Sequence, residues 1–255
     1  MAKKIGMGRV FQNLAGLLAG RFDRGGLGWA APSVPRRPVV ASTGLRGLDT
    51  ALGIGGLPAG GVTELVGSPR EQSAGGVVCL SARIAAHFQH RQQMVAIIDL
   101  TGSYDAALAE QCGLAAAHHL LSRPRTLRAA LKRLEQAARQ VDLVIVCLGM
   151  LSETLAQVPP ALRRTLLARL RRIVRSSSAA FLLLTTPQEK HPFHPLNYPR
   201  GFPLDRLAEI RLWIQEEHWL PRRGPKTTCR LQVAVVDSRL AAPGKGVSLR
   251  IKLSP

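Results

Sequence analysis

An apolar run, Val62-Thr63-Glu64-Leu65-Val66, ends in Gly67 and is followed by Ser68-Pro69-Arg70-Glu71-Gln72-Ser73-Ala74-Gly75-Gly76. A strand, a glycine-bearing turn and then a helix is a layout on which backbone N–H groups can surround a phosphate. Phosphoryl transfer also needs a lysine to neutralise the phosphates and a Ser or Thr for Mg²⁺. This turn never produces a Gly-Lys-Ser/Thr ending, so the layout is present and its chemistry is not.

Polyanion contacts are the second chemistry on offer. Leu162-Arg163-Arg164-Thr165-Leu166-Leu167-Ala168-Arg169-Leu170-Arg171-Arg172-Ile173-Val174-Arg175 has helical periodicity. Leu162, Leu166, Leu170, Ile173 and Val174 share one face that packs on a core. That leaves Arg163, Arg164, Arg171 and Arg172 for phosphate contacts, with a merely solvated basic face as the alternative. Between Thr186 and Leu204, Lys190, Tyr198 and Arg200 stand among His191, Phe193, His194 and Phe202. Cations beside rings suit a single strand, whose phosphates and bases they contact in turn; a proline-held surface crossing is the alternative. Arg222 and Arg223, with Lys226, form a weaker third patch.

Metal and nucleophile chemistry find little support. Cys79, Cys112, Cys147 and Cys229 are widely spaced without a CxxC pair, and they read as small core residues in a reducing compartment. His191 and His194 flank a proline with no Cys or carboxylate beside them, and no metal is expected. His118-His119 reads as a helix end or a solvent-facing pair.

These groups need a framework, and the composition supplies one. A chain of 255 residues that is 46% hydrophobic can bury one good-sized core. Its 35 Lys and Arg against 16 Asp and Glu give a net charge of +19, which points to nucleic acid as company unless the whole proteome is arginine-rich. No signal peptide or membrane span is present, so the expected location is cytoplasmic and nucleoid-associated.

Along the chain, Val10, Leu14, Leu17, Leu18 and Phe22 make a short amphipathic helix within residues 1–29, and residues 30–38 form a proline-rich linker. From residue 39 to 255 strands alternate with helices. Strands are expected at 62–66, 95–99, 143–148 and 180–185, and helices at 77–87, 104–112, 127–139 and 162–174. Fully apolar strands between helices predict an α/β fold with a mostly parallel central sheet covered on both faces. Residues 207–215, 229–236 and 247–253 read as strands joined by turns, an antiparallel extension at one edge.

This order of elements resembles the bacterial RecA recombinase core. Three separated segments carry the likeness. They are Arg21-Phe22-Asp23-Arg24-Gly25 after the first helix, Ser42-Thr43-Gly44 with Gly55-Gly56-Leu57-Pro58, and Val236-Asp237-Ser238-Arg239-Leu240-Ala241-Ala242-Pro243. The resemblance implies a RecA-like core without the C-terminal domain, with Leu14, Leu17, Leu18 and Phe22 docking onto a partner. It places the nucleotide at Gly67, Ser73, Gly75 and Gly76, with Arg239 and Lys245 reaching a neighbour's ATP. With Ser73 aligned on the family's serine, Gly75 and Gly76 replace the lysine and threonine. Cys147 replaces the metal-supporting Asp, and Thr101 the water-activating Glu. Those losses remove charge neutralisation, metal positioning and nucleophile orientation together.

The expectation is therefore no ATP hydrolysis and no required cofactor, with weak ATP or phosphate binding as the residual. Short RecA relatives with a decayed site look like the ImuA group, accessory proteins of SOS-induced translesion synthesis. The implied partners are single-stranded DNA bound without sequence preference, RecA, a Y-family or replicative polymerase subunit, or a second copy. One alternative is a divergent DNA-dependent ATPase or recombinase that borrows Arg70, Lys245 or a neighbour's lysine. Another is a regulatory module that inhibits its partner.

Overall fold

A computed structural model describes residues 39–67, 75–149, 159–186, 204–220, 227–242 and 246–254. The expected N-terminal helix and linker lie outside the described residues. In chain order the elements are β1 (Val40–Ala41), α1 (Arg46–Leu52), β2 (Leu57–Pro58), β3 (Val62–Val66), α2 (Gly75–His90), β4 (Val95–Asp99), α3 (Ala106–Gln111) and β5 (His119–Ser122). Then come α4 (Leu127–Ala137), β6 (Leu143–Gly149), α5 (Pro160–Arg175), β7 (Ala180–Thr185), β8 (Ile210–Leu220), β9 (Thr228–Ser238) and β10 (Gly246–Lys252).

One eight-stranded sheet runs β10-β9-β8-β3-β7-β6-β4-β5. All strands from β8 across to β5 are parallel, and β9 and β10 complete the sheet antiparallel. The chain steps outward from β3 to β4 and β5, then returns inward through β6 and β7. Right-handed crossovers put the helices of these two legs on opposite faces. Accordingly α2 packs over Leu65, Ile97, Leu143, Ile145 and Leu182, while Leu134 of α4 and Leu167 and Val174 of α5 join Ala96, Val144, Val146 and Leu183 on the other side. Strand residues alternate between these two cores with a period of two, and both faces are dry. That is why the sequence shows apolar runs instead of polar alternation.

Local chemistry sets the helix boundaries. Asp105 accepts from the Leu108 N–H at 3.0 Å to start α3, and Thr126 accepts from the Ala129 N–H at 3.2 Å to start α4. Pro160 opens α5, where no N–H is needed. Gly53, at φ +73°, closes α1 in the left-handed conformation. The segment before α1 is tied by Asp49, whose carboxylate receives the Ser42 hydroxyl at 2.7 Å, the Thr43 hydroxyl at 2.6 Å and the Thr43 N–H at 2.9 Å.

The expected α/β fold, mostly parallel with an antiparallel edge, is present. β8, β9 and β10 form the expected antiparallel extension, and β8 joins it to the parallel strands by lying parallel to β3, pairing Thr63 with Ile210 and Val66 with Trp213. The connection from Thr185 to Ile210 is long enough for the crossover that a parallel neighbour requires. The expected helix at 104–112 forms only over Ala106–Gln111. Among the described residues no helix is long and apolar enough to cross a membrane.

Leu80 on α2 is fully buried between helix and sheet. Leu80→Ala is expected to lower the unfolding free energy by about 2–5 kcal/mol in urea denaturation, the cost of lost transfer energy plus a cavity.

Candidate functional site

In an open α/β sheet the carboxyl ends of the strands carry the ligand crevice. Here that rim brings together Gly67 after β3, Asp99 to Thr101 after β4, Cys147 near the end of β6 and Thr185 of β7. Gly67 donates its N–H to the Thr185 carbonyl at 2.8 Å, and a β-carbon on it would come 2.8 Å from Val77 of α2. Strand end and helix start therefore approach closely, as a phosphate loop would require.

The polar groups at this rim are turned to structural use. Asp99 is 1% exposed and accepts Arg123 Nε at 3.1 Å, the Tyr104 N–H at 3.2 Å and the Thr101 N–H at 3.3 Å. Arg123 also donates to the Tyr104 carbonyl at 3.0 Å, so the turn after β4 is laced to β5. Thr101, expected at the position of a catalytic acid, is exposed and shares a 2.7 Å hydrogen bond with Ser103. It has no carboxylate with which to orient water.

Cys147 pairs with Asp99 across β4 and β6 and is 3% exposed. Burial pushes its thiol well up, the Asp99 carboxylate adds to that, and Arg123 opposes it. A protonated thiol offers Mg²⁺ no hard oxygen ligand. Burial likewise pushes up the Tyr104 hydroxyl, which has no hydrogen-bond partner among the described residues. Val77, Val78, Tyr104, Cys147, Leu184, Thr185 and Thr186 line a small pocket there. Among the described residues no group of three or more His, Cys, Asp or Glu could hold a metal ion.

The start of α2 is filled from the side. β8 runs past the end of β3, and its far end folds Glu217 and Trp219 against the first helical turn. Trp219 Nε1 donates to Glu217 Oε1 at 2.7 Å, while Glu217 Oε2 is buried without a partner among the described residues. A β-carbon on Gly75 would lie 2.6 Å from the Trp219 ring. One on Gly76 would run into the Glu217 carboxylate and lie 2.9 Å from Leu231. Gly75 and Gly76 are thus packed positions, and the group beside them is an acid. A carboxylate suits the positive end of a helix dipole and repels a second anion there. ATP with Mg²⁺ does not fit this residue set.

Other candidates fall elsewhere. β9 runs antiparallel to β8, with Ser238 opposite Ile210, so Arg239 stands at the opposite rim from Gly67. There it donates to the Arg206 carbonyl at 3.1 Å. On α5, Arg164 and Arg172 are exposed. Arg163 needs correcting: it is 9% exposed, while Leu162, expected in the core, is 48% exposed. The rest of the expected face, Leu166, Leu170, Ile173 and Val174, does pack in the second core. Arg171 is half-buried and reaches the Arg206 carbonyl at 3.5 Å. Ser73, Lys190, Tyr198, Arg200, Arg222, Arg223, Lys245 and the docking residues Leu14, Leu17, Leu18 and Phe22 lie outside the described residues.

Sequence reading missed Glu217, Trp219 and Arg123, which occupy or brace the rim. It also passed over Glu64, although a charge inside an apolar strand was visible. Glu64 accepts Arg211 Nε at 2.8 Å and the Thr185 hydroxyl at 2.9 Å.

Gly76→Ala is expected to destabilise the protein by about 1–3 kcal/mol in urea denaturation, because the methyl meets Glu217 and Leu231. Adding Glu217→Ala should recover part of that loss, a non-additivity that separated sites would not show.

Residues 33–158 match the family model described as the RecA N-terminal domain. The RecA protein of Thermus thermophilus is 28% identical over 86% of this chain and 68% of its own length. That of Thermus aquaticus is 28% identical over 83% of this chain and 66% of its own, and that of Deinococcus radiodurans 27% identical over 83% and 62%. A crystal structure of the RadB recombinase shares the fold at a TM-score of 0.60 and 18% identity, covering 82% of this chain and 95% of that one. Over most of its length the chain is thus similar in sequence to RecA proteins, and it shares the fold of a RecA-like recombinase core.

Proposed function

We propose that this chain is a non-catalytic, RecA-like DNA-repair and recombination protein that acts by binding, not by turning over ATP. The observation that carries this reading is the first turn of α2. Gly75 and Gly76 stand where the alignment on Ser73 puts the lysine and threonine of a phosphate loop, and Glu217 and Trp219 fill the space that their side chains would use. Cys147 and Thr101 add the loss of a metal carboxylate and a general base. Because these parts act as a unit in phosphoryl transfer, repair of one leaves the others missing.

With catalysis set aside, the net charge of +19 becomes the main functional property. It supports a polyanion partner bound through phosphates, with affinity but little sequence preference. Within the superfamily, the decayed nucleotide positions and the basic charge support an accessory role in SOS-induced translesion synthesis of the ImuA kind. The partners in that reading are single-stranded DNA together with RecA or a polymerase subunit, engaged through the N-terminal apolar stripe of Leu14, Leu17, Leu18 and Phe22.

The test is fluorescence anisotropy of a labelled single-stranded oligonucleotide over a salt series, with and without ATP and Mg²⁺, beside a steady-state ATPase assay. Expected are binding that weakens steeply with salt and ignores ATP, and turnover at background. The Gly75→Lys, Gly76→Thr double variant should gain no turnover. Binding that requires ATP, or turnover stimulated by DNA, would overturn the proposal.

A further inference from the structure

The first turn of α2 meets a carboxylate that is poorly held. α2 runs for 16 residues and carries no acid of its own in its first turn. The negative charge set against its positive end is Glu217, brought there by β8. Glu217 Oε1 accepts the Trp219 Nε1–H at 2.7 Å and lies 3.4 Å from where a β-carbon on Gly75 would stand. The carboxyl carbon comes 2.8 Å from the same position on Gly76. Oε2 lies closest to Gly76 and is buried without a partner among the described residues. A buried carboxylate oxygen with no donor costs free energy, and the dipole of the helix start offsets only part of that cost.

The strand that carries this group is fixed more firmly at its other end. β8 pairs with β3 only as far as Trp213, opposite Val66, and from there to Leu220 its paired neighbour among the described residues is β9. Trp219 packs its ring on Gly75 and is still 41% exposed. Closure of the helix start thus rests on one hydrogen bond, one ring contact and a carboxylate oxygen that lacks a donor. Gly75 and Gly76 have no side chains, so a carboxylate that moved away would bare main chain at the positive end of α2, the surface on which anions are bound.

We propose that Glu217 and Trp219 make an autoinhibitory contact, in which the carboxylate stands in for an anion at the start of α2 and a phosphate-class oxyanion competes with it for that place. The inference rests on the non-catalytic reading above and adds that the closure is reversible. Two anions set against one helix start repel each other, so the charge of Glu217 sets the affinity for any anion from outside. Glu216, the preceding residue of β8, provides the contrast. Its side chain is 62% exposed and lies 3.3 Å from His218 Nε2, with no part in the closure.

Inorganic pyrophosphate would be titrated into the unmodified chain, Glu217→Ala and Glu216→Ala by calorimetry at constant ionic strength, with circular dichroism melts to verify folding. Each variant removes one negative charge from β8, so a general effect of net charge raises both alike. Pyrophosphate should bind Glu217→Ala about fivefold more tightly than the other two, the size of a helix-end charge effect. Its melting temperature should also rise more steeply with pyrophosphate. Glu217→Gln keeps the bulk and removes the charge; it should likewise bind more tightly than the unmodified chain, which keeps the test decisive where the alanine variant does not fold. Equal affinities in the unmodified chain and the Glu217 variants, or an equal gain in Glu216→Ala, overturn the autoinhibitory contact and leave the non-catalytic reading standing. ATP turnover by Glu217→Ala overturns that reading, and with it the basis of the inference.

Discussion

A carboxylate inside a parallel sheet must find its counter-charge without leaving the sheet, and Glu64 does so by holding both neighbours of the central strand. Arg211 reaches it from β8 and Thr185 from β7. Glu64 is 1% exposed at its side chain and Arg211 11%, so this is a desolvated pair. Removing one partner of such a pair costs about 3–5 kcal/mol, because the other is left charged and buried. The pair also rejects a register slip of β8, which would separate the groups. Since β8 continues well past the end of β3, its register decides what lies over the start of α2. Glu217 and Trp219 reach Gly75 and Gly76 because Arg211, on the same strand, is anchored to Glu64.

The start of α2 is consequently a packed position, closed by the far end of β8. In a phosphate loop the first turn of the helix stays open and cationic, and the ligand supplies the negative charge. Here the protein provides its own: Glu217 stands at the positive end of α2, bonded to the Trp219 ring nitrogen. Asp99, instead of orienting a reactant, is consumed by Arg123 and by the backbone of the turn after β4. Cys147 fills the end of β6 with a small protonated side chain that packs against the rim pocket. These groups fit their neighbours, so a larger side chain at Gly75 or Gly76 would disrupt that packing.

Much of the architecture was legible because it rests on hydrophobic periodicity. Runs such as Leu143 to Leu148 and Ala180 to Thr185 are apolar on both faces, and only a covered parallel sheet makes use of such runs. Three features were not. The parallel pairing of β8 depends on the length of a crossover, which strand patterning does not encode. The burial of Arg163 is not marked in the α5 pattern, which sets its arginines side by side with no signal to tell one from another. The contact of Glu217 with Gly76 joins residues far apart in sequence, through a strand overhang that no local signal announces.

The distribution of positive charge follows from the same geometry. Counting the arginines of α5 suggests a helix face offered whole to a polyanion, but the structure divides them. Arg163 is buried, and Arg169 and Arg139 both converge on Glu135, at 3.1 and 2.9 Å. Arg171 turns down toward Arg206. Exposed ion pairs of the Glu135 kind add little stability, yet they locally neutralise the charge that a phosphate would seek. What remains outward on the helix is Arg164, Arg172 and Arg175, and the last of these belongs to the rim where the chain passes from α5 toward β7. Antiparallel β9 returns Arg239 to that same rim, whereas the parallel strands carry Gly67, Asp99 and Cys147 toward the other. Sheet polarity thereby separates an end where Glu217 lies against the start of α2 from one where Arg171 and Arg239 meet at the Arg206 carbonyl.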